Sequence, residues 1–195
     1  MKIKLLGQDP SMLNWGLAAA SFDTVSYELE LLELFVVQKL NKGDENAKRS
    51  RKSFLDLDRS RDLHTGINAF LAKHDFKFTM VEVPHGSQSA SAMKGYGICL
   101  GILGAMKVPM IQLSERECKI NALGKPSATK IEMINWAMGR HPDANWKMRK
   151  SKGELVSVDG YNEHAADAVG ALEAGIMSEQ FNQAMSIITS FESSL

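Results

Sequence analysis

The sequence has little that would anchor, crosslink or polarise it as a whole. None of its apolar runs approaches the ~18 residues of a membrane-spanning helix. The start, Met1-Lys2-Ile3-Lys4-Leu5, is interrupted by charge, and no small-residue cleavage site follows, so it does not read as a signal peptide. The only cysteines, Cys99 and Cys118, have neither a metal-type spacing nor the density of a disulfide scaffold, and read as reduced thiols. The expected location is the cytoplasm. Net charge is zero, with 23 basic and 23 acidic residues, which excludes a uniformly basic or acidic binding protein. No internal repeat is visible.

The charge is unevenly spread. Residues 116–152 hold nine basic and three acidic residues, whereas residues 153–195 hold seven acids and no Lys or Arg. A solvated surface is the ordinary explanation. A nuclease needs the same division, with cations to hold a phosphate backbone and a few carboxylates to hold divalent metal. Length and a 44% apolar fraction predict one domain over residues 1–195 with a sizeable core.

Hydrophobic patterning predicts strands over residues 3–8, 14–22 and 26–37, joined as an antiparallel meander. A polar connection over 41–52 leads to a helix over 54–74, then a strand over 76–83. A helix over 87–106, a strand over 108–113, a helix over 127–138 capped by Ser127, and a helical region over 162–190 complete the chain. The order predicts an α/β fold with a mixed five-stranded sheet flanked by helices. Asp56 and Asp58, at a helix start, read as solvated charges rather than a metal pair. Gly95, Gly97 and Gly101 have the wrong spacing and setting for a dinucleotide fingerprint.

Four residues stand out chemically. Asp9 ends the first strand with no basic neighbour, and a lone buried carboxylate is costly without a partner. Glu82 lies near the end of the fourth strand. His164 and Asp167, three apart, share one face of the last helical region. Three carboxylates and an imidazole drawn to one sheet edge would suit Mg²⁺ or Mn²⁺, and a two-ion site supports phosphodiester hydrolysis. Singly, each has a plain structural explanation: an Asp-Pro turn, an edge-strand charge, a helix N-terminus.

These segments resemble the RuvC-type Holliday junction resolvases. GQDPSMLNWGLA is similar to the family's first-strand motif, G-x-D-P-S-x-x-N-x-G. VEVPHGSQSASAMKGYGICLGIL resembles the second acidic motif and the helix after it, and NEHAADAVGALEAG resembles the closing motif. Lys119 and Lys130 fall where the family carries DNA-contacting cations, with Lys125 between them. The resemblance implies an RNase H-like fold, a homodimer and Mg²⁺-dependent cleavage of four-way junctions leaving 5′-phosphate and 3′-hydroxyl ends. Asp9 would bridge two ions, and Glu82, His164 and Asp167 would complete the ligands. A nuclease for flaps, forks or RNA–DNA hybrids, or a junction-binding protein without turnover, remains open.

The chain departs from the family pattern in three places. Residues 41–52 enlarge one connection. Residues 141–160 form an insertion whose Trp146, Lys147, Arg149, Lys150 and Lys152 make either a basic hairpin against DNA or a solvated hairpin anchored by Trp146; such insertions resemble phage versions of the family. The loop after Glu82 has no aromatic residue to stack at a junction centre, leaving His85 or Gln88 for that contact. Small residues recurring along 90–105 pack either on the sheet or across a dimer axis, and the resemblance favours the second.

Overall fold

In the computed structural model, residues 1–38, 51–84, 86 and 89–192 are described. Strands β1 (Lys2–Asp9), β2 (Asn14–Asp23) and β3 (Leu29–Gln38) form the antiparallel meander. Helix α1 (Lys52–Leu71) returns the chain to β4 (Phe76–Glu82), parallel to β1. Helix α2 (Ala90–Gly104) then leads to β5 (Met110–Leu113), parallel to β4. The sheet order β3-β2-β1-β4-β5 is the expected mixed five-stranded sheet. Because β1, β4 and β5 are parallel, their C-terminal ends lie at one edge, which presents Asp9 and Glu82 together.

Two cores cover the two faces of the sheet, and strand alternation sorts residues between them. Ile3 and Leu5 of β1 and Met80 of β4 face one core, built around α5 (Asp159–Ile176). Leu6, Trp15, Leu17 and Val81 face the other, closed by α1 and α2 through Leu63, Ile67, Phe70, Cys99 and Leu103. Cys99 and Cys118 are free and buried in different cores, consistent with the reduced thiols expected. Among the described residues, no helix is long and apolar enough to cross a membrane.

Several boundaries differ from expectation. The third strand starts at Leu29 rather than 26, because Asp23 Oδ1 accepts from the backbone N–H of Val25 (2.8 Å) and Ser26 (3.4 Å), which turns the chain there. Helix α2 is capped by Ser89, not started at 87, and β5 begins at Met110 rather than 108. A helix not foreseen, α3 (Glu115–Leu123), follows β5, closed by a Ser114/Glu117 capping box and by Gly124 at φ 70°. Helix α4 (Lys130–Arg140) is capped by Thr129, not Ser127; the Thr129/Glu132 capping box satisfies two backbone donors that Ser127 would leave open. The last helical region starts at Asp159, and at Met177 and Ser178 it breaks into α5 and α6 (Glu179–Glu192). Ser178 Oγ donates to Gly175 O (2.6 Å) and accepts from Phe181 N–H (3.1 Å), ending one helix and opening the next. Nearly all of the 41–52 connection, with His85 and Gln88, lies outside the described residues.

Helix α5 lies unusually close to the sheet. A Cβ on Gly7 would sit 2.1 Å from Ala168 O, and one on Gly16 would sit 2.0 Å from His164 O. At the far end a Cβ on Gly175 would meet Met80 Cγ at 2.0 Å. Glycine is therefore the only residue that permits this contact at each point. The helix side matches, with Ala165, Ala166, Ala168, Ala171 and Ala174 all buried.

Candidate active site

The four singled-out residues come from three elements, and the packing of α5 brings them to one corner. Asp9 pairs across the ladder with Gly16, the residue whose missing Cβ lets the His164 backbone touch the sheet. Asp9 and His164 are thereby in contact, with His164 Nδ1 2.6 Å from Asp9 Oδ2 and both side chains mostly buried. Burial alone would lower the His164 pKa. The hydrogen bond and charge of Asp9 outweigh it, so the net direction is upward.

Glu82 reaches the corner from β4 on the same face as Met80. Burial pushes its pKa up to about 8, and the charges of Asp9, Asp167 and Glu115 add to the rise, against a hydrogen bond from Cys118. Asp167, one turn beyond His164, is pushed up to about 7 by burial, then by Asp9 and Glu163, while His164 and Lys119 pull it down. Asp9, Glu82 and Asp167 are thus close enough to repel one another.

The donor set fits a hard divalent cation: three carboxylates crowded at one corner, with repulsion that a cation relieves. Among the described residues, no three His, Cys, Asp or Glu side chains are grouped tightly enough to hold an ion as they stand.

Each cation implied by the resemblance is held by a carboxylate, and Lys119 and Lys130 lie beside this corner. Lys119, on the unforeseen α3, pairs with Glu115 (2.5 Å) and also acts on Asp167. Lys130, the first residue of α4, pairs with Glu163 and feels Asp167 and Asp9 as well. Lys125 pairs with Glu132. Asp56, read as a solvated charge, is ion-paired to Lys94.

Three supports of the corner were not foreseen. Gln8, fully buried behind Asp9, accepts from Trp15 Nε1 (3.0 Å) and donates to Thr79 Oγ1 (2.7 Å), tying β1 to both neighbours. Buried Arg59 of α1 donates to the carbonyls of Met12 (2.7 Å), Leu13 (2.9 Å) and Val37 (2.7 Å), fixing the β1–β2 turn beyond Asp9. Gly16 was visible within the first motif, but its role depends on a helix about 150 residues away, which no local pattern reveals.

No family model matches the sequence, and no curated protein matches it. Solved structures do. Thermus thermophilus RuvC in complex with Holliday junction substrate superposes with a TM-score of 0.59 at 17% identity, covering 89% of this chain and 92% of that one. A second Thermus thermophilus RuvC structure gives 0.57 at 17% identity, over 89% and 97%. The yeast mitochondrial Holliday junction resolvase Ydc2 gives 0.52 at 14% identity, over 96% and 85%. The fold is that of the RuvC-type resolvases. Within the RuvC-type fold, Asp9, Glu82, His164 and Asp167 occupy the ends of β1 and β4 and the first turns of α5.

Proposed function

We propose that this chain is a metal-dependent endonuclease that resolves four-way DNA junctions. The observation that carries the reading is the corner at which Asp9, Glu82, Asp167 and His164 meet on a RuvC-type sheet, where among the described residues no Lys or Arg is ion-paired to the three acids and their one basic partner is His164, on Asp9. Asp9, Glu82, His164 and Asp167 would hold two Mg²⁺ ions, with Mn²⁺ able to substitute. Bound there, the ions supply an activated water and charge stabilisation at the leaving oxygen, giving 5′-phosphate and 3′-hydroxyl ends.

The chain's own residues do the rest. The Asp9 contact orients the His164 imidazole. Gln8 and Arg59 hold the backbone on either side of Asp9. Lys119 and Lys130 would exchange their carboxylate partners for phosphate oxygens as DNA arrives, with Lys125 alongside. The exposed face of α2 supports a homodimer: Gly97, Gly101 and Gly104 meet nothing within 4 Å, and Met93 and Leu100 are about half exposed at 46% and 44%. A two-fold dimer would set two sites against opposite strands of a two-fold junction.

The test compares cleavage of a four-way junction, a flap, an RNA–DNA hybrid and a linear duplex, with and without Mg²⁺. The reading expects the junction to be cut preferentially and only with metal, and expects Asp9→Asn to bind junctions yet lose cleavage. Wild-type cutting by Asp9→Asn would remove the assigned site. Preference for flap or hybrid would reassign the substrate. Tight junction binding with no cutting in Mg²⁺ or Mn²⁺ would leave a binding protein.

A further inference from the structure

The insertion over residues 141–160 is a built element. Trp146 Nε1 donates to His141 O (2.8 Å) and its ring packs against the core. Asn145 bonds both backbone groups of Leu34 on the edge strand β3, at 2.7 and 2.9 Å. The Tyr161 hydroxyl accepts from Val36 N–H (3.1 Å) on the same strand. Fully buried Asn162 bonds both backbone groups of Lys147 (2.9 Å each). From this base rises a hairpin, β6 (Met148–Ser151) paired antiparallel with β7 (Glu154–Ser157). Its two-residue turn has positive φ at both Lys152 (50°) and Gly153 (89°), the geometry that matches strand twist.

The position of the hairpin is as telling as its rigidity. Asn162, which grips its base, lies two residues before His164 on α5. Lys147 reaches Gln38, at the end of β3, and lies 4.5 Å over the Tyr161 ring. The hairpin therefore stands at the carboxylate corner on the β3 side, apart from Lys119 on α3, which follows β5. The two basic groups differ in one respect. Lys119, Lys125 and Lys130 are each ion-paired. Arg149, Lys150 and Lys152 are exposed, and among the described residues none has an ion-pair partner. Four cations in the six residues 147–152, on strands reaching about 13 Å, form a surface complementary to a phosphate backbone.

We propose that the β6–β7 hairpin is a backbone clamp that holds a DNA duplex arm on the β3 side of the carboxylate corner, through Arg149, Lys150 and Lys152. The proposal rests on the nuclease reading for its ligand but concerns a different surface. Free cations pay no exchange of ion pairs on binding, so the hairpin supplies a share of the salt-dependent affinity while the corner supplies the chemistry.

The experiment measures affinity for a four-way junction, a linear DNA duplex and an RNA duplex over a salt series in EDTA. It compares the full chain, an Arg149→Ala/Lys150→Ala/Lys152→Asn variant, and a control neutralising Lys2, Lys77 and Lys107 at the opposite sheet edge. Asn tolerates the positive φ at 152, so the turn survives, and an unchanged unfolding temperature checks the fold. The hairpin variant should bind DNA about ten- to a hundredfold more weakly, with a log–log salt slope reduced by about 2 to 3. The control should change little, and Arg149→Lys alone should retain binding. Equal effects of variant and control overturn the clamp, as does a loss confined to RNA. A wild-type chain that binds no DNA overturns both proposals. A wild-type chain that binds junctions in EDTA but does not cut them when Mg²⁺ or Mn²⁺ is added removes the nuclease reading, while the clamp still stands on its affinity readout.

Discussion

Two sets of glycines in this molecule look alike in the sequence and do opposite things. Gly7, Gly16 and Gly175 lie where α5 presses on the sheet, each facing another atom within 2.1 Å of where its Cβ would be. Gly97, Gly101 and Gly104 lie along α2 with open space around them. The first set is explained within the chain, because close approach of α5 is what delivers His164 to Asp9. For the second, helical glycine costs roughly 1 kcal/mol against alanine, with no packing return among the described residues. On the proposed dimer, a second copy of the chain would use that face.

The largest effect should come from closing the tight contact. Gly16→Ala sets a methyl against the backbone carbonyl of His164, which can move only if α5 moves. Overpacking of this kind costs about 3 kcal/mol, or a fall of about 6–12 °C in the unfolding temperature for a chain of this size. On the proposed function, junction cleavage should fall more steeply than the folded fraction, because the displaced helix carries two of the four candidate site residues. An unfolding temperature within 1 °C of wild type would mean that the contact relaxes cheaply and that its tightness does not position the site.

The open set should respond through assembly rather than folding. Gly101→Glu puts a charge on the α2 face where the monomer has room for it. If a second copy covers that face, the dimer dissociation constant should rise at least tenfold, about 1.4 kcal/mol, as read by analytical ultracentrifugation. The monomer's own stability should be unchanged. A variant that dimerises like wild type would exclude this face as the dimer surface.

Tight packing also keeps the carboxylates from spreading apart, and pH reads that constraint. Glu82 at about 8 and Asp167 at about 7 are raised above their ordinary values, so the folded state holds protons that the unfolded chain releases. Their contribution to stability is full below about pH 4 and is lost as the pH rises through 7 to 8. His164, also shifted up, acts in the same direction. Metal-free protein should therefore melt lower at pH 8 than at pH 6. Added Mg²⁺ should raise the unfolding temperature more at pH 8, and Glu82→Gln should flatten the metal-free profile. Identical profiles for wild type and Glu82→Gln would show that the carboxylates do not strain the fold.

How much of this was legible follows from the range of each signal. Strand alternation and the isolated acids are local, so the five-stranded sheet and the four candidate residues could be read directly. Helix α3 was missed because nine residues with an ERECK start carry little periodicity, although Ser114 and Glu117 spelled a capping box. The Thr129/Glu132 box was legible in the same way and was overlooked beside Pro126. Arg59 gave no sign, since its partners are backbone carbonyls of the β1–β2 turn and of the end of β3, both distant in sequence. The two sets of glycines could not be told apart either. What separates them is which atoms the fold brings within 3 Å, and that is a property of tertiary packing alone.

The smallest expected effect tests that last point most directly. Gly104→Ala adds a methyl near the C-terminal end of α2, where nothing lies within 4 Å. Its backbone is helical, so alanine fits without strain and reduces the freedom of the unfolded chain. The substitution should stabilise the monomer by about 0.5–1 kcal/mol, a rise of roughly 1–4 °C. The same glycine-to-alanine change thus carries opposite signs at residues 16 and 104, although both replace a hydrogen with a methyl. If Gly104→Ala destabilises instead, and does so more at high protein concentration, the methyl is colliding with a second copy, and the close contact across that face extends to the end of the helix.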